Sequence, residues 1–389
     1  MSTLVRRAAT MLGAAGITAA LATTPALAAS ATTASPSVVP LNDYLNRVSM
    51  TSPSSAWAVG SFELSGSVAQ TLTERWNGKS WQVVPSQNPG GTIRSSSLSD
   101  VAARSSSSAW AVGSYADTAQ FQQTLIERWN GSSWKLVPSP NPGGAGTWNT
   151  LAGVAYISRT AAWAVGSSGF RALVLRWNGG AWKRVPCPQP GHNSVLSSVA
   201  VLSPSNAWAI GSYNPDGAPS RTLIEHWDGR SWKRVKSPNP VPTDTELADV
   251  SAVSATDIWA VGAFSNGTAN QTLTEHWNGR SWKVIPSPSP AGPSEFDGLH
   301  GVSAVSASNA WAVGSYVTGG VKRTLIEHWN GRAWKQVRSK NPGSSNLLAG
   351  VAVTKSTAFA VGAFTSGSAN LSLIERHGAV WVHIASPNK

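Results

Sequence analysis

Ala109-Trp110-Ala111-Val112-Gly113 decides the architecture once its recurrences are followed. The aromatic at its centre returns as Trp57, Trp110, Trp163, Trp208, Trp259, Trp311 and, altered, Phe359, at spacings of 53, 53, 45, 51, 52 and 48 residues. A valine stands nine positions upstream each time, at Val48, Val101, Val154, Val199, Val250 and Val302; in the last copy Val351 stands eight upstream. A period of about fifty residues held seven times marks a repeat architecture, and it governs every local reading.

Downstream of each pentapeptide lies a second block, Thr-Leu-Ile-Glu-Arg/His-Trp-Asn-Gly-x-x-Trp or a close variant. It supplies the pairs Trp76/Trp81, Trp129/Trp134, Trp177/Trp182, Trp227/Trp232, Trp277/Trp282 and Trp329/Trp334, and in the last copy Trp381 alone. Nineteen of the twenty tryptophans are thereby repeat positions, and Trp148 is the exception. Each copy reads as four short strands, such as Leu98 to Ala103, the pentapeptide, Leu125 to Trp129, and Trp134 to Val137. Asn-Gly between the third and fourth is a hairpin signal, because both residues tolerate positive φ. Val/Ile-Pro-Ser-Pro then ends the copy, since proline cannot continue a central strand. Four strands per fifty residues, seven times over, predicts an all-β, seven-bladed β-propeller with four antiparallel strands per blade. Twenty-four prolines and 36 glycines exclude a helical solenoid.

The chain has 389 residues, of which 41% are hydrophobic and only 12% charged. Met1 to Ala28 carries Arg6 and Arg7, then an Ala/Leu/Gly-rich run, then Ala26-Leu27-Ala28, the layout of a signal peptide with its cleavage site. Residues 29–44 read as a Ser/Thr/Pro-rich linker and 45–389 as the propeller. Within the linker, Ser37-Val38-Val39-Pro40 resembles the end of an outer strand, as in Val83-Val84-Pro85, and is a candidate closing device. Without its leader the chain loses two arginines, and its net charge falls from +12 to +10. No later segment is apolar enough to span a membrane. These features predict a secreted monomer. Cys187 is the one cysteine, so an internal disulfide and any multi-cysteine metal site are excluded.

The order apolar strand, aromatic-x-Val-Gly, strand, turn, Trp resembles the kelch and galactose-oxidase-type propeller repeat, and the Gly-x-x-Trp ending resembles the Asp-box. The resemblance covers about residues 45–389 and implies architecture. Gly-Ser or Gly-Ala stands where kelch repeats carry a double glycine, and Trp76 and its equivalents stand where the Asp-box has aspartate.

Propeller sheets pack both faces, so the repeat aromatics Trp57, Trp110, Trp163, Trp208, Trp259, Trp311 and Phe359 are expected in the core. The repeated Glu74, Glu127, Glu225, Glu275, Glu327 and Glu375, replaced by Leu175 in the third copy, are expected to be structural. Six equivalent carboxylates around a ring cannot converge on one substrate. They are candidate acceptors for the indole N–H groups. The histidines that follow the repeated glutamate, His226, His276 and His328, stand one per repeat and do not form a metal cluster; no metal or cofactor is expected. No nucleophile elbow, phosphate loop or zinc motif is present, and no Tyr/Cys/His set fits copper chemistry.

The segments that differ between copies join strands two and three or connect successive repeats, and both kinds of loop share one face. Loops on a rigid scaffold carry function. Trp148, Tyr115, Phe121, Phe170, Arg171, Tyr213, Asp216, Glu295, Asp297 and Tyr316 are the candidate ligand-binding residues, with Trp148 first. Lys79, Lys135, Lys183 and Lys233 and their neighbours make the outer hairpins basic, which protects an exposed edge and attracts anionic polymers. The function expected is non-catalytic binding of glycan or anionic cell-envelope polymer. A polysaccharide-acting lyase or hydrolase is the alternative, and a protein-interaction scaffold the third reading. Nucleic acid is not expected as a partner, since no nucleic-acid-binding motif appears.

Overall fold

The computed structural model describes residues 42–64, 68–144 and 146–387. The segments read as leader and linker, up to residue 41, lie outside the described residues, as do Val38 and Val39. The first strand opens at Asn42, inside the stretch read as linker. Every regular element among the described residues is a strand, and there are 28 of them.

Each repeat builds an antiparallel meander. In the second copy the strands are Ser96–Ser105, Ser108–Ala116, Gln122–Trp129 and Trp134–Leu136, each paired with the next. The first strands line the axis. Their backbones pass so close that a Cβ on Gly153 would lie 2.8 Å from the Cα of Ser198, and one on Gly350 2.9 Å from that of Arg47. The last contact joins the seventh repeat to the first and closes the ring. A bulge interrupts the first strand between Leu98 and Asp100 and recurs in other copies. It presses the carbonyl of Ser97 onto the pentapeptide's glycine. A Cβ on Gly113 would lie 2.0 Å from that oxygen, which is why this position admits only glycine.

The expected seven separate sheets are not what forms. The strands gather into six sheets, five of four strands and one of eight. The larger one unites the strands of the first and last repeats through a parallel bridge between Asn42 and Asn370. The physical reason is the early start of the first strand, which brings Asn42 beside the start of Ala369–His377. There the side-chain Oδ1 of Asn42 accepts from the backbone N–H of Asn370 at 2.9 Å and from its Nδ2 at 3.0 Å. Asn370 Nδ2 also donates to the hydroxyl of Tyr44 at 2.6 Å. The seam is thus made by a side-chain contact between the first and last repeats, and the sheet count is six rather than seven.

Between neighbouring repeats the core is aromatic. Trp57 meets Trp129 and Trp134 of the next repeat at ring-centre distances of 4.8 and 5.0 Å. Trp110 meets Trp177 and Trp182 in the same way, and Trp163 meets Trp227 and Trp232. At the seam Phe359 meets Trp76 and Trp81 at 5.2 and 5.1 Å. The tilted and edge-on geometries place positive ring edges against negative faces. The indole of Trp129 donates to the carbonyl of Ser106 at 3.1 Å, and that of Trp76 to Pro53 at 3.1 Å. For these third-strand tryptophans the acceptor is therefore the turn between the first two strands and not the repeated glutamate, whereas the indoles of Trp57, Trp110 and Trp134 have no acceptor among the described residues. Trp110 is fully buried. Trp110→Ala should cost roughly 3–5 kcal/mol, a cavity penalty that the turn cannot relax to fill; denaturant unfolding of the two proteins measures it.

Candidate functional site

The loop face is organised by the ends of the strands. The second strand of each repeat turns back into the third, and the following repeat's first strand begins beside that turn. In the third copy Ser168 pairs with both Arg171 and Asn149. Trp148 precedes Asn149 and is 56% exposed. Its carbonyl accepts from the N–H of Gly169 at 2.9 Å, which fixes it against the turn carrying Phe170. Phe170 is held at a positive φ of 65° and is 73% exposed. Phe121, from the preceding repeat's turn, meets Trp148 edge-on at 6.4 Å. A backbone bond from Asp117 N to the carbonyl of Phe121 at 2.9 Å shapes that turn. Sequentially distant Phe121, Trp148 and Phe170 are thereby brought to one rim.

Beyond Phe170 the surface dips into a cleft of about 390 Å³ lined by Phe170, Arg171, Gln189, His192, Asn193 and Asp216 among others. Arg171 and Asp216 are exposed. His192 and Asp216 face each other at 3.7 Å across its edge. The cleft therefore offers one apolar wall and donors and acceptors of both signs.

Five other candidates do not join this surface. Tyr213 is buried beneath the guanidinium of Arg234, which lies 4.4 Å from its ring centre and hydrogen-bonds its hydroxyl. Tyr115 and Tyr316 pack against the cores of their own junctions. All three occupy a repeat position, five residues after the pentapeptide aromatic, shared with Phe62, Phe264 and Phe364. That fixed offset was the available signal. Asp297 is 2% exposed and accepts from the N–H of Ala291 at 3.1 Å, as Asn346 accepts from Gly343 at 2.9 Å. It staples the connecting loop, and burial pushes its carboxyl up to about 6. Glu295 accepts from the N–H of Gly319 at 3.0 Å and anchors a neighbouring turn.

The repeated glutamates lie between the repeats. Glu127 is fully buried and accepts from the N–H of Gln87 at 3.2 Å, in the tail of the preceding repeat. Lys340 N serves Glu375 at 3.2 Å, Ser237 Oγ serves Glu275 at 2.9 Å, and Ser386 Oγ serves Glu74 across the seam at 2.8 Å. Glu225 and Glu327 have no hydrogen-bond partner among the described residues. The tails opposite them read Cys187-Pro188 and Ser287-Pro288, and proline removes the N–H that Gln87 and Lys340 supply. Burial raises all six carboxyls: Glu127 and Glu225 to about 8, Glu74, Glu275 and Glu375 to about 7, and Glu327 well above the usual range. Burial also drives the Cys187 thiol up to about 12, so it is protonated and unreactive at neutral pH.

Sequence reasoning missed a charged cluster on the axis. Arg47 donates to the carbonyls of Asn46, Ala248 and Ala349, so one guanidinium ties the first, fifth and seventh innermost strands together. Asp100 accepts from its own neighbour Val101 and from Val154 of the next repeat, both at 2.8 Å. Asp249 accepts from Ser198 Oγ at 2.7 Å and Val302 N at 2.9 Å, joining the fourth, fifth and sixth repeats. Burial drives His300, on the same axis, down to about 4, and the charge of Arg47 adds to the effect. These groups are consumed in holding the ring. Each stands beside the bulge of its strand, a signal that lies in register and not in residue type. Among the described residues no three His, Cys, Asp or Glu side chains converge as metal ligands, and no helix is long and apolar enough to cross a membrane.

No protein-family model and no curated protein matches the chain. Solved structures do. The chain resembles YCF48 from Cyanidioschyzon merolae at 16% identity and a TM-score of 0.50, over 83% of this chain and 94% of that one. It resembles the GH74 xyloglucanase from Xanthomonas campestris at 13% identity and a TM-score of 0.55, over 87% of this chain and 52% of that one. A PL25 ulvan lyase matches at 9% identity and a TM-score of 0.54, over 90% and 97%. At such identities the likeness establishes the β-propeller fold alone.

The raised carboxyls make stability depend on pH. A glutamate whose folded value lies above its unfolded one binds its proton more tightly in the native state. The stability it contributes is complete below pH 4.5 and is lost as pH rises through 7 to 8. The melting temperature should therefore fall between pH 5 and pH 8.5, and Glu127→Gln should make that slope shallower; thermal unfolding across the range measures both.

Proposed function

We propose that this chain is an exported, non-catalytic binding protein whose loop face holds a glycan or anionic cell-envelope polymer. The observation that carries the reading is the aromatic rim of exposed Trp148 and Phe170 and half-buried Phe121 beside a polar cleft. Ring faces stack on the apolar faces of sugars, while Arg171, Gln189, His192, Asn193 and Asp216 suit hydroxyl and carboxylate groups. The signal-like layout of residues 1–28 supports a partner outside the cell.

Chemistry favours binding over cleavage at this cleft. Glycoside hydrolysis needs two carboxyl groups facing the bond, roughly 5–9 Å apart. The cleft lining holds one, Asp216, and it already faces His192. The propeller scaffold is compatible with polysaccharide ligands, as the xyloglucanase and the ulvan lyase it resembles illustrate. Each stacking contact is modest, so affinity grows when several loops engage one chain through effective concentration. Exposed Lys135 and Lys183 on the outer strands add attraction that salt screens.

A glycan array at low and high salt tests this. Trp148→Ala should weaken retention about tenfold while leaving the melting temperature within a degree or two, because the ring is more than half exposed. Failure of the wild-type protein to retain any glycan or envelope polymer at low salt refutes the proposal. Shortening of a polysaccharide replaces it with the enzyme reading.

A further inference from the structure

The face opposite the binding loops carries a pattern that the repeats themselves expose. The residue after the repeated glutamate, or after Leu175 in the third copy, is arginine in four copies and histidine in three. In three of the four arginine copies the guanidinium covers both rings of the aromatic junction, while Arg128 lies over Trp110 alone, 5.2 Å from its ring centre. Arg75 lies 5.5 Å from the ring centres of both Trp57 and Trp129. Arg176 lies 5.1 Å from Trp163 and 5.5 Å from Trp227. Arg376 covers Trp76 and Phe359 across the seam. A cation over an indole face is attracted by the ring quadrupole. Arg75 Nη2 also donates to the carbonyl of Ser106 at 3.1 Å, the same carbonyl that accepts from the indole of Trp129. Beneath this cover Trp129, Trp227 and Trp76 are 3 to 5% exposed.

Where the residue is histidine the cover is incomplete. The imidazole of His276 stacks on its own Trp259 at 4.4 Å and reaches no further. The next repeat's Trp329 packs 4.8 Å from Trp259 yet stays partly exposed, and Trp277 at the preceding junction does the same. Above Trp259 and Trp329 opens a cleft of about 470 Å³, lined also by Ser254, Thr256, Asp257 and Ala307. The carbonyl of Ala307 accepts from the indole of Trp329 at 2.9 Å, so it stands where Ser106 stands under Arg75. Asp257 is 8% exposed. One of its oxygens faces His276 at 2.8 Å, and the other has no hydrogen-bond partner among the described residues.

We propose that the cleft between the fifth and sixth repeats binds a guanidinium group, which takes the place that an intrinsic arginine fills at the Arg75 and Arg176 junctions. The planar cation lies over Trp329, donates to the carbonyl of Ala307, and is balanced by Asp257. Asp257 singles out this junction: the matching residues beside His226 and His328 are Asn206 and Asn309, which carry no charge. The site lies at the end of the fold away from Trp148 and is independent of the glycan reading.

The probe is Nα-acetyl-arginine amide, titrated into the purified chain by ligand-observed NMR and calorimetry, with the citrulline derivative as the neutral isostere. A peptide with one internal arginine forms a second arm. Tighter binding of the peptide identifies a protein chain as the source of the group, and equal affinity a free guanidino compound. The arginine derivative should bind one equivalent and the citrulline derivative should not. Asp257→Asn should weaken binding about tenfold. His276→Arg should abolish it by filling the cleft from within, with the melting temperature held or raised. Equal binding of the two derivatives, or wild-type affinity in His276→Arg, overturns the proposal. If His276→Arg does not fold, undiminished affinity in Asp257→Asn overturns it alone.

Discussion

The insertion of one repeat's aromatic between the two aromatics of the next is the contact on which the structure depends. Each meander is too thin to bury its own apolar faces. Trp110 lies in the second strand of its repeat, yet its largest partners, Trp177 and Trp182, belong to the following one. Cohesion therefore resides in the junctions. The hydrogen-bonded sheets supply the spacing that lets the junctions form. The other repeated residues follow from this arrangement. The pentapeptide glycine admits the bulge that brings the first strands together at the axis. The hairpin Asn130 folds its side chain onto the N–H groups of Ser132 and Ser133, which positions Trp134. Glu74, Glu127, Glu275 and Glu375 tie the tail of one repeat to the third strand of the next.

This dependence also explains what could be read from residues alone. The repeat, its four strands and the burial partners of its aromatics recur in the sequence as a period, and a period survives without coordinates. The union of the first and last repeats into one sheet could not be read, because it rests on a contact between Asn42 and Asn370, which lie 328 positions apart. The axial cluster was hidden for a related reason. Arg47, Asp100, Asp249 and His300 look like variable residues in a row of Gly, Ser and Ala, and only the bulged register shows that they meet. The candidate site was legible in half. Trp148, Phe121, Phe170, Arg171 and Asp216 stand out against the repeat and are found together. Tyr115, Tyr213 and Tyr316 differ from their counterparts in residue type yet obey the five-residue offset, and Asp297 holds a repeat position that is Asp43, Asn149 and Asn346 in other copies.

The two faces use the same aromatic stock differently. On the loop face Trp148 departs from the repeat, and departure is what marks it. On the opposite face Trp277 and Trp329 obey the repeat, and they are exposed because a neighbour is shorter. A side chain of one repeat thus sets the accessibility of a ring in the next. Such coupling leaves no mark on the exposed residue itself.

Arg47, Phe359 and the Asn42–Asn370 bridge together give the chain a periodic boundary. An open stack of repeats has terminal units with one neighbour, and these fray first. Here every repeat has two neighbours, so separating any one of them breaks two aromatic junctions at once. Adding repeats one by one yields nothing comparable until the last junction forms. The number of copies is then not a free variable of the gene. A copy gained or lost changes the angle that every junction must take, and the whole circle has to re-close around it.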